Sequence, residues 1–124
     1  MFNNELVVEV LNQIPQSVDI IQKRIKPIKT AADFLKNERR LQRLDSICMQ
    51  LIALGESIKH LDKITNKSML KKYPEFEWKK AMAMRDVLSH HYFDLNNDIV
   101  FDVCINEIPK LKKIIKLIHV QIPR

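Results

Sequence analysis

The spacing of apolar residues predicts helices along the whole chain. From about Glu5 to Arg24 apolar residues recur every three or four positions, as in an amphipathic helix. The residues of this first apolar face are Leu6, Val7, Val10, Leu11, Ile14, Val18, Ile21 and Ile25. Pro15 lies inside the pattern and predicts a kink or break there, and Lys26-Pro27 predicts the end of the helix.

A second, longer helix is predicted from about Asn37 to Leu61. Thr30 precedes it as a candidate N-cap, with Asp33 in the first turn that follows. Its apolar positions are Leu41, Leu44, Ile47, Cys48, Leu51, Ile52, Leu54, Ile58 and Leu61. Gly55 inside this helix costs roughly 1 kcal/mol relative to alanine. We therefore expect close approach of another helix or of a ligand at this glycine.

The remainder of the chain is predicted to hold two further helices. Residues 62–74 are expected to form a loop with one helical turn at about 68–72, and a helix should follow from Phe76 to His91. Its expected core residues are Trp78, Ala81, Met82, Met84, Val87 and Leu88. Residues 94–98 form a polar turn cluster, and the last helix should bend at Pro109. Its apolar positions are Ile99, Val103, Cys104, Ile108, Leu111, Ile114, Ile115 and Ile118.

Composition supports an all-α fold. The 124 residues contain one glycine, whereas barrels and folds rich in tight turns need several. There is no strand pattern, repeat or linker. We predict one domain over residues 1–124, built as a single bundle of four to five helices.

Cysteine content and hydropathy bear on the compartment. Cys48 and Cys104 lie among apolar residues and are expected to be buried, reduced thiols. The first residues lack the basic start and apolar core of a secretion signal, and no apolar run approaches the roughly 18 residues that span a bilayer. These features favour a cytoplasmic protein with no membrane partner.

The net charge of +6 favours polyanionic partners, RNA above all. Basic residues concentrate at 23–29, 39–43 and 110–116. These stretches could line an RNA path, or they could be ordinary solvated faces.

One short segment, Arg85 to Tyr92, carries candidate chemistry. Asp86 and His90 are four residues apart and share a helical face, where a carboxylate can fix the tautomer of an imidazole. Arg85 could grip a phosphate in a fork, and a histidine near its ordinary pKa can move protons. The alternative is that Arg85 pairs with a nearby acid while His90 and His91 cap the end of the helix.

Other constellations are absent. There is no glycine-rich phosphate loop, nucleophile elbow or paired-cysteine zinc motif, and the histidines lack metal-ligand spacing. No metal or other cofactor is expected.

The ordered motifs of the chain resemble the HepT-like family of the HEPN superfamily. That family has Arg, four residues, His, one residue, Tyr, which here is Arg85, His90 and Tyr92. Three further segments resemble family elements in family order, from the long helix to the last one. They are Leu54-Gly55-Glu56-Ser57, Tyr73-Pro74-Glu75-Phe76-Glu77-Trp78 and Ile108-Pro109-Lys110-Leu111.

The resemblance implies a homodimer with an inter-subunit cleft and a metal-independent endoribonuclease toxin. Arg85 would position the phosphate, and His90 would be general acid or base as the 2′-hydroxyl attacks. An MNT-type nucleotidyltransferase antitoxin would neutralise the toxin by transferring AMP to Tyr92. Glu56 would lie near the cleft as a supporting residue.

Two positions depart from the family pattern. His91 stands where the family usually has glycine, which adds bulk and a second proton carrier beside the motif. Asp86 stands where asparagine is frequent, and its charge could oppose a phosphate or orient His90. The alternative function is a non-catalytic helical subunit of a nucleotidyltransferase that binds a nucleotide or the partner. A purely structural helical oligomer is a third, weaker option.

Overall fold

The computed structural model describes residues 3–89 and 96–122, and every regular element within them is helical. The predicted all-α class is thus confirmed. The α-helices are α1 (Asn4–Ile25), α2 (Glu38–Ile64), α3 (Trp78–Met82), α4 (Met84–Ser89), α5 (Asn97–Asp102) and α6 (Ile108–Gln121). Two short 3-10 helices (Ala31–Leu35 and Leu70–Lys72) and a π-helical segment (Val103–Glu107) lie between them.

A kink or a break was predicted at Pro15, and helix α1 runs through this residue without a break. Proline removes one backbone donor, but the buried face continues on both sides of it with Leu11, Ile14 and Val18. Packing of this face against α2 and α6 offsets the lost hydrogen bond. The helix ends at Ile25, in agreement with the predicted end at Lys26-Pro27.

Helix α2 is the central element of the bundle. Its N-cap is Asn37, whose Oδ1 accepts a hydrogen bond from the backbone N–H of Arg40 at 2.9 Å. The helix contacts α1, α3, α4 and α5, and it ends at Ile64, three residues beyond the predicted end. In residues 3–89 and 96–122 neither α2 nor any other helix is both long and apolar enough to cross a membrane.

The predicted helix from Phe76 to His91 is divided at Ala83 into α3 and α4. Ala83 has φ −84° and ψ 1°, outside the helical region, so a new helix begins with Met84. Leu88 is buried, as predicted. Val87 was predicted to be core but is 47% exposed, because Met84 and Leu88 form the contact face of this short helix. His91, the predicted end, lies outside the described residues.

The last predicted helix changes its hydrogen-bond pattern before Pro109. Helix α5 passes into the π-helical segment, in which the N–H of Ile108 donates to the carbonyl of Val103, five residues back. Pro109 then stands in the first turn of α6, where its missing N–H costs little. Asn97 and Asp98, predicted to lie in a turn, already belong to α5 behind the N-cap Asn96.

Both cysteines are buried and free, as the sequence predicts. Burial, with a smaller effect of Asp45, raises the pKa of Cys48 to about 11. Burial, with a smaller effect of Cys48, raises the pKa of Cys104 to about 12. At neutral pH both side chains are therefore protonated and pack as small apolar groups.

Candidate functional site

A closed turn before α3 fixes the direction of the segment that leads to the candidate site. The indole Nε1–H of Trp78 donates to the backbone carbonyl of Tyr73 at 2.8 Å. The rings of Phe76 and Trp78 pack edge to face with centroids 4.7 Å apart. The Tyr73 hydroxyl donates to the side-chain carbonyl of Gln121 and so ties this turn to α6. These contacts fix the position of the turn from which α3 starts.

Gly55 allows the α3–α4 segment to approach α2 closely. A Cβ at this position would lie 2.7 Å from the backbone oxygen of Ala81 and 3.4 Å from the Cβ of Met84. Real Cβ atoms essentially never come this close to a backbone oxygen, so only glycine fits without a shift of α3. The predicted close approach of another helix is confirmed. It brings the first turn of α4 next to the residue after Gly55.

Arg85 and Glu56 meet at this contact. Nη1 of Arg85 lies 3.6 Å from Oε1 of Glu56, and Nζ of Lys59 lies 3.7 Å from the same oxygen. The side chains of Arg85 and Glu56 are 63% and 41% exposed. Such exposed pairs contribute less than about 1 kcal/mol, because water and salt screen them. Loss of the Glu56 contact alone would therefore cost little free energy.

The pair matches one of the alternatives left open by the sequence, in which Arg85 pairs with a nearby acid. It also places Glu56 beside Arg85. Lys59 was not a sequence candidate, although its spacing of three from Glu56 on α2 is a signal for an ion pair.

Of the other candidate residues in the Arg85–Tyr92 segment, the structure describes Asp86. Asp86 is exposed on α4. His90, His91 and Tyr92 lie outside the described residues. The side-chain N–H of Asn97, at the start of α5, donates to the backbone carbonyl of Ala31 at 2.9 Å. Among residues 3–89 and 96–122 no three His, Cys, Asp or Glu side chains cluster so as to hold a metal ion.

These features define a small all-helical protein with an exposed, arginine-centred polar site beside a glycine contact. The chain belongs to the ribonuclease HepT-like family, whose model matches residues 14–118. No solved structure shows a significant match to it.

Curated relatives carry ribonuclease names. A "Putative RNase" of Methanocaldococcus jannaschii is 33% identical over 72% of this chain and 69% of its own length. A "Putative RNase" of Caldanaerobacter subterraneus is 32% identical over 86% of this chain and 88% of its own length. A "Gamma-glutamylcyclotransferase and putative RNase" of M. jannaschii is 33% identical over 83% of this chain and 43% of its own length.

Proposed function

We propose that this protein is a metal-independent endoribonuclease that acts as the toxin of a HEPN/MNT toxin–antitoxin pair. The observation that carries the proposal is the exposed guanidinium of Arg85, held at the Gly55 contact five residues before His90. Membership of the ribonuclease HepT-like family and the names of the relatives support RNA as the substrate. One HEPN-like domain over residues 1–124 would act in the cytoplasm, where RNA is available.

The proposed reaction uses the nucleophile that RNA itself carries. The 2′-oxygen attacks the adjacent phosphorus and forms a P–O bond, while the bond from phosphorus to the 5′-oxygen breaks. His90 takes the 2′-proton as base or protonates the leaving 5′-oxygen as acid, and water or the His90 of a second copy makes the other proton transfer. Arg85 neutralises the phosphoryl oxygens, whose charge grows in the transition state. The products are a 2′,3′-cyclic phosphate and a 5′-hydroxyl.

A homodimer fits this chemistry. Each chain offers one Arg85 and one His90, and two copies facing each other across a cleft would provide two cations and two proton carriers around a single RNA strand. The low cost of breaking the Arg85–Glu56 pair suits a guanidinium that must turn toward that cleft.

Glu56 competes with the substrate phosphate for Arg85 in this account. We therefore expect Glu56→Gln to lower KM for RNA about twofold to fivefold, since an exposed ion pair is worth up to about 1 kcal/mol. Steady-state cleavage kinetics measure this, with Glu75→Gln as an exposed control of equal charge change. A KM that rises, or equal changes in both variants, would contradict competition at Arg85.

Tyr92 is the proposed site of control by the antitoxin. Incubation with the MNT-type nucleotidyltransferase and ATP should add whole AMP masses to a peptide that contains Tyr92. The added charge and bulk would exclude RNA from the cleft. Mass spectrometry of wild type and Tyr92→Phe tests the acceptor, and modification that persists in Tyr92→Phe would mean that another residue accepts AMP.

Expression of this protein without the partner distinguishes between the two proposed functions, a ribonuclease toxin and a non-catalytic subunit of a nucleotidyltransferase. The wild type should cut RNA in the presence of a chelator and arrest growth when it is expressed alone. His90→Ala should do neither, at equal expression and with an unchanged melting curve. A wild type that neither cuts RNA nor slows growth would overturn the ribonuclease proposal and leave the binding subunit.

A further inference from the structure

The net charge of the chain is concentrated in residues 23–43. This stretch holds eight of the 21 Lys and Arg residues but only two of the 15 Asp and Glu residues, which gives +6. The rest of the chain holds thirteen cations and thirteen anions and is formally neutral. The net positive charge that favours a polyanion therefore comes from this stretch. We name residues 23–43 the basic corner.

The fold brings the basic corner together at one end of the bundle. Nη1 of Arg43 donates to the carbonyl of Arg24 at 3.0 Å, and Nη1 of Arg40 donates to the carbonyl of Pro27 at 2.8 Å. These bonds satisfy carbonyls at the end of α1 and hold the first turns of α2 against it. Arg40 and Arg43 thus have a structural role.

One of the two acids of the basic corner is used internally. Oδ2 of Asp33 accepts the backbone N–H groups of Lys29 at 2.8 Å and Thr30 at 3.2 Å. The Lys29 hydrogen bond above all, with a smaller effect of the Lys36 and Arg40 charges, lowers the pKa of Asp33. The Asp33 carboxylate thus lies near several cations, but it forms no ion pair with any of them.

Five cations of the basic corner face solvent. They are Lys23, Lys26, Lys29, Lys36 and Arg39. In the described part of the chain, no ion pair includes any of them. Elsewhere the exposed cations Lys59, Lys80, Arg85 and Lys110 each pair with a glutamate. Other exposed lysines of the described residues also appear in no ion pair, but they lie in parts of the chain that are neutral overall; they are Lys63, Lys67, Lys71, Lys72, Lys79, Lys113 and Lys116. The corner therefore keeps its positive charge for an external anion.

The basic corner lies at a distance from the candidate active site that one RNA strand can span. The Ala31 carbonyl within the corner accepts the Asn97 side chain, so the corner adjoins the start of α5. Along α2, Arg39 and Glu56 are seventeen residues apart, or about 26 Å at 1.5 Å per residue. An RNA strand of several nucleotides could reach from Arg85 to the corner, whereas a dinucleotide could not.

From these observations we propose that the basic corner is a binding site for the RNA phosphate backbone, remote from the cleavage centre. The proposal rests on the proposed ribonuclease function for the identity of the polyanion. Contacts to phosphate position RNA without reading its sequence. The corner should therefore strengthen binding of long substrates and leave the chemical step unchanged.

The test compares two variants that lose the same charge from different places. The corner variant changes Lys23, Lys26, Lys29, Lys36 and Arg39 to glutamine. The control variant changes the exposed residues Lys63, Lys67, Lys71, Lys72 and Lys79, which lie outside the basic stretches, to glutamine. Both carry His90→Ala, so that labelled single-stranded RNA of twenty nucleotides stays intact while fluorescence anisotropy reports Kd across a salt series.

We expect the corner variant to lose roughly tenfold or more in affinity at low salt, and the slope of log K against log salt to shrink by about 0.7 per lost phosphate contact. The control variant should change Kd less than threefold. Equal losses in the two variants, or unchanged binding by the corner variant, would overturn the corner site. The latter result would assign these cations to an acidic protein partner or to solvent alone.

Cleavage by the same variants without His90→Ala distinguishes the two proposals. With long RNA the corner variant should raise KM and keep kcat, and with a dinucleotide it should match the wild type. If the wild type cuts RNA and the two variants change KM equally, the ribonuclease proposal stands and the basic corner is not a specific RNA-binding site. If only the corner variant loses RNA affinity and the wild type does not cut RNA, the basic corner is an RNA-binding site and the ribonuclease proposal is wrong. Melting curves check the fold, and a reduced variant (Lys26→Gln, Lys29→Gln, Lys36→Gln) serves as a second probe.

Discussion

Replacing Arg85 with alanine should lower RNA cleavage by about 10²- to 10³-fold, mainly in kcat. The guanidinium would stabilise charge that grows on the phosphoryl oxygens only in the transition state, so its loss should affect the chemical step more than binding. His90→Ala should cost about 10²- to 10⁴-fold, as expected for removal of a proton carrier. Arg85→Lys should recover only part of the activity, because an ammonium keeps the charge but not the fork.

The fold should not depend on Arg85. Its side chain is 63% exposed, and its pair with Glu56 contributes little to stability. We therefore expect Arg85→Ala to melt within a few degrees of the wild type. Lys79→Ala, an exposed change on α3, is the matched control and should cut RNA normally. Normal cleavage by Arg85→Ala would remove Arg85 from the proposed site.

Gly55→Ala should destabilise the protein although it improves helix propensity. Alanine gains about 1 kcal/mol over glycine in a helix interior. Against this gain, the new Cβ would lie 2.7 Å from the Ala81 backbone oxygen, which can retreat only if α3 moves. Overpacking of this kind costs about 1–3 kcal/mol, and we expect a net loss of up to about 2 kcal/mol in the free energy of unfolding.

The rate of RNA cleavage by Gly55→Ala should fall together with its stability, because α4, which carries Arg85, directly follows α3. Displacement by about 1 Å can cost on the order of 10²-fold in rate. Urea unfolding and cleavage kinetics measure the two effects. Ala53→Gly, at an exposed position two residues earlier on α2, is the control and should lose only about 0.5–1 kcal/mol. A Gly55→Ala protein that is more stable and fully active would refute the close contact.

The features that local patterns specify strongly were predictable from the sequence. Apolar periodicity located α1 and α2, with the start of α2 near Asn37. The N-cap predicted from the sequence was Thr30, which caps the short 3-10 helix Ala31–Leu35, whereas Asn37 caps α2. Gly55 indicated the close approach of another helix or of a ligand, because glycine is otherwise unfavourable in a helix interior. The motif order from Gly55 to Leu111 identified the family.

Features that depend on tertiary packing were not predictable. Pro15 does not break α1, because the packed face on both sides holds the helix together. The division at Ala83 leaves no mark in the apolar pattern, which continues from Ala81 to Met84. The π-helical turn before Pro109 depends on a hydrogen bond between Ile108 and Val103 that spacing alone does not reveal.

The candidate site was only partly predictable for the same reason. Arg85 was singled out by its motif, whereas its contact with Glu56 depends on how closely α4 approaches α2. Lys59 joins the pair from the next turn of α2. The basic corner shows the same dependence, since 23–29 and 39–43 become one surface only through the Arg40 and Arg43 bonds to α1 and the segment after it.

The chemical ends of the RNA fragments test the central claim most directly. Purified wild type and Arg85→Ala would be incubated with one defined RNA in excess chelator, and the new ends identified by mass spectrometry. The account predicts 2′,3′-cyclic phosphate and 5′-hydroxyl ends with wild type, and about a hundredfold less of both with Arg85→Ala. Fragments ending in 3′-hydroxyl and 5′-phosphate, or equal cleavage by the two proteins, would contradict it.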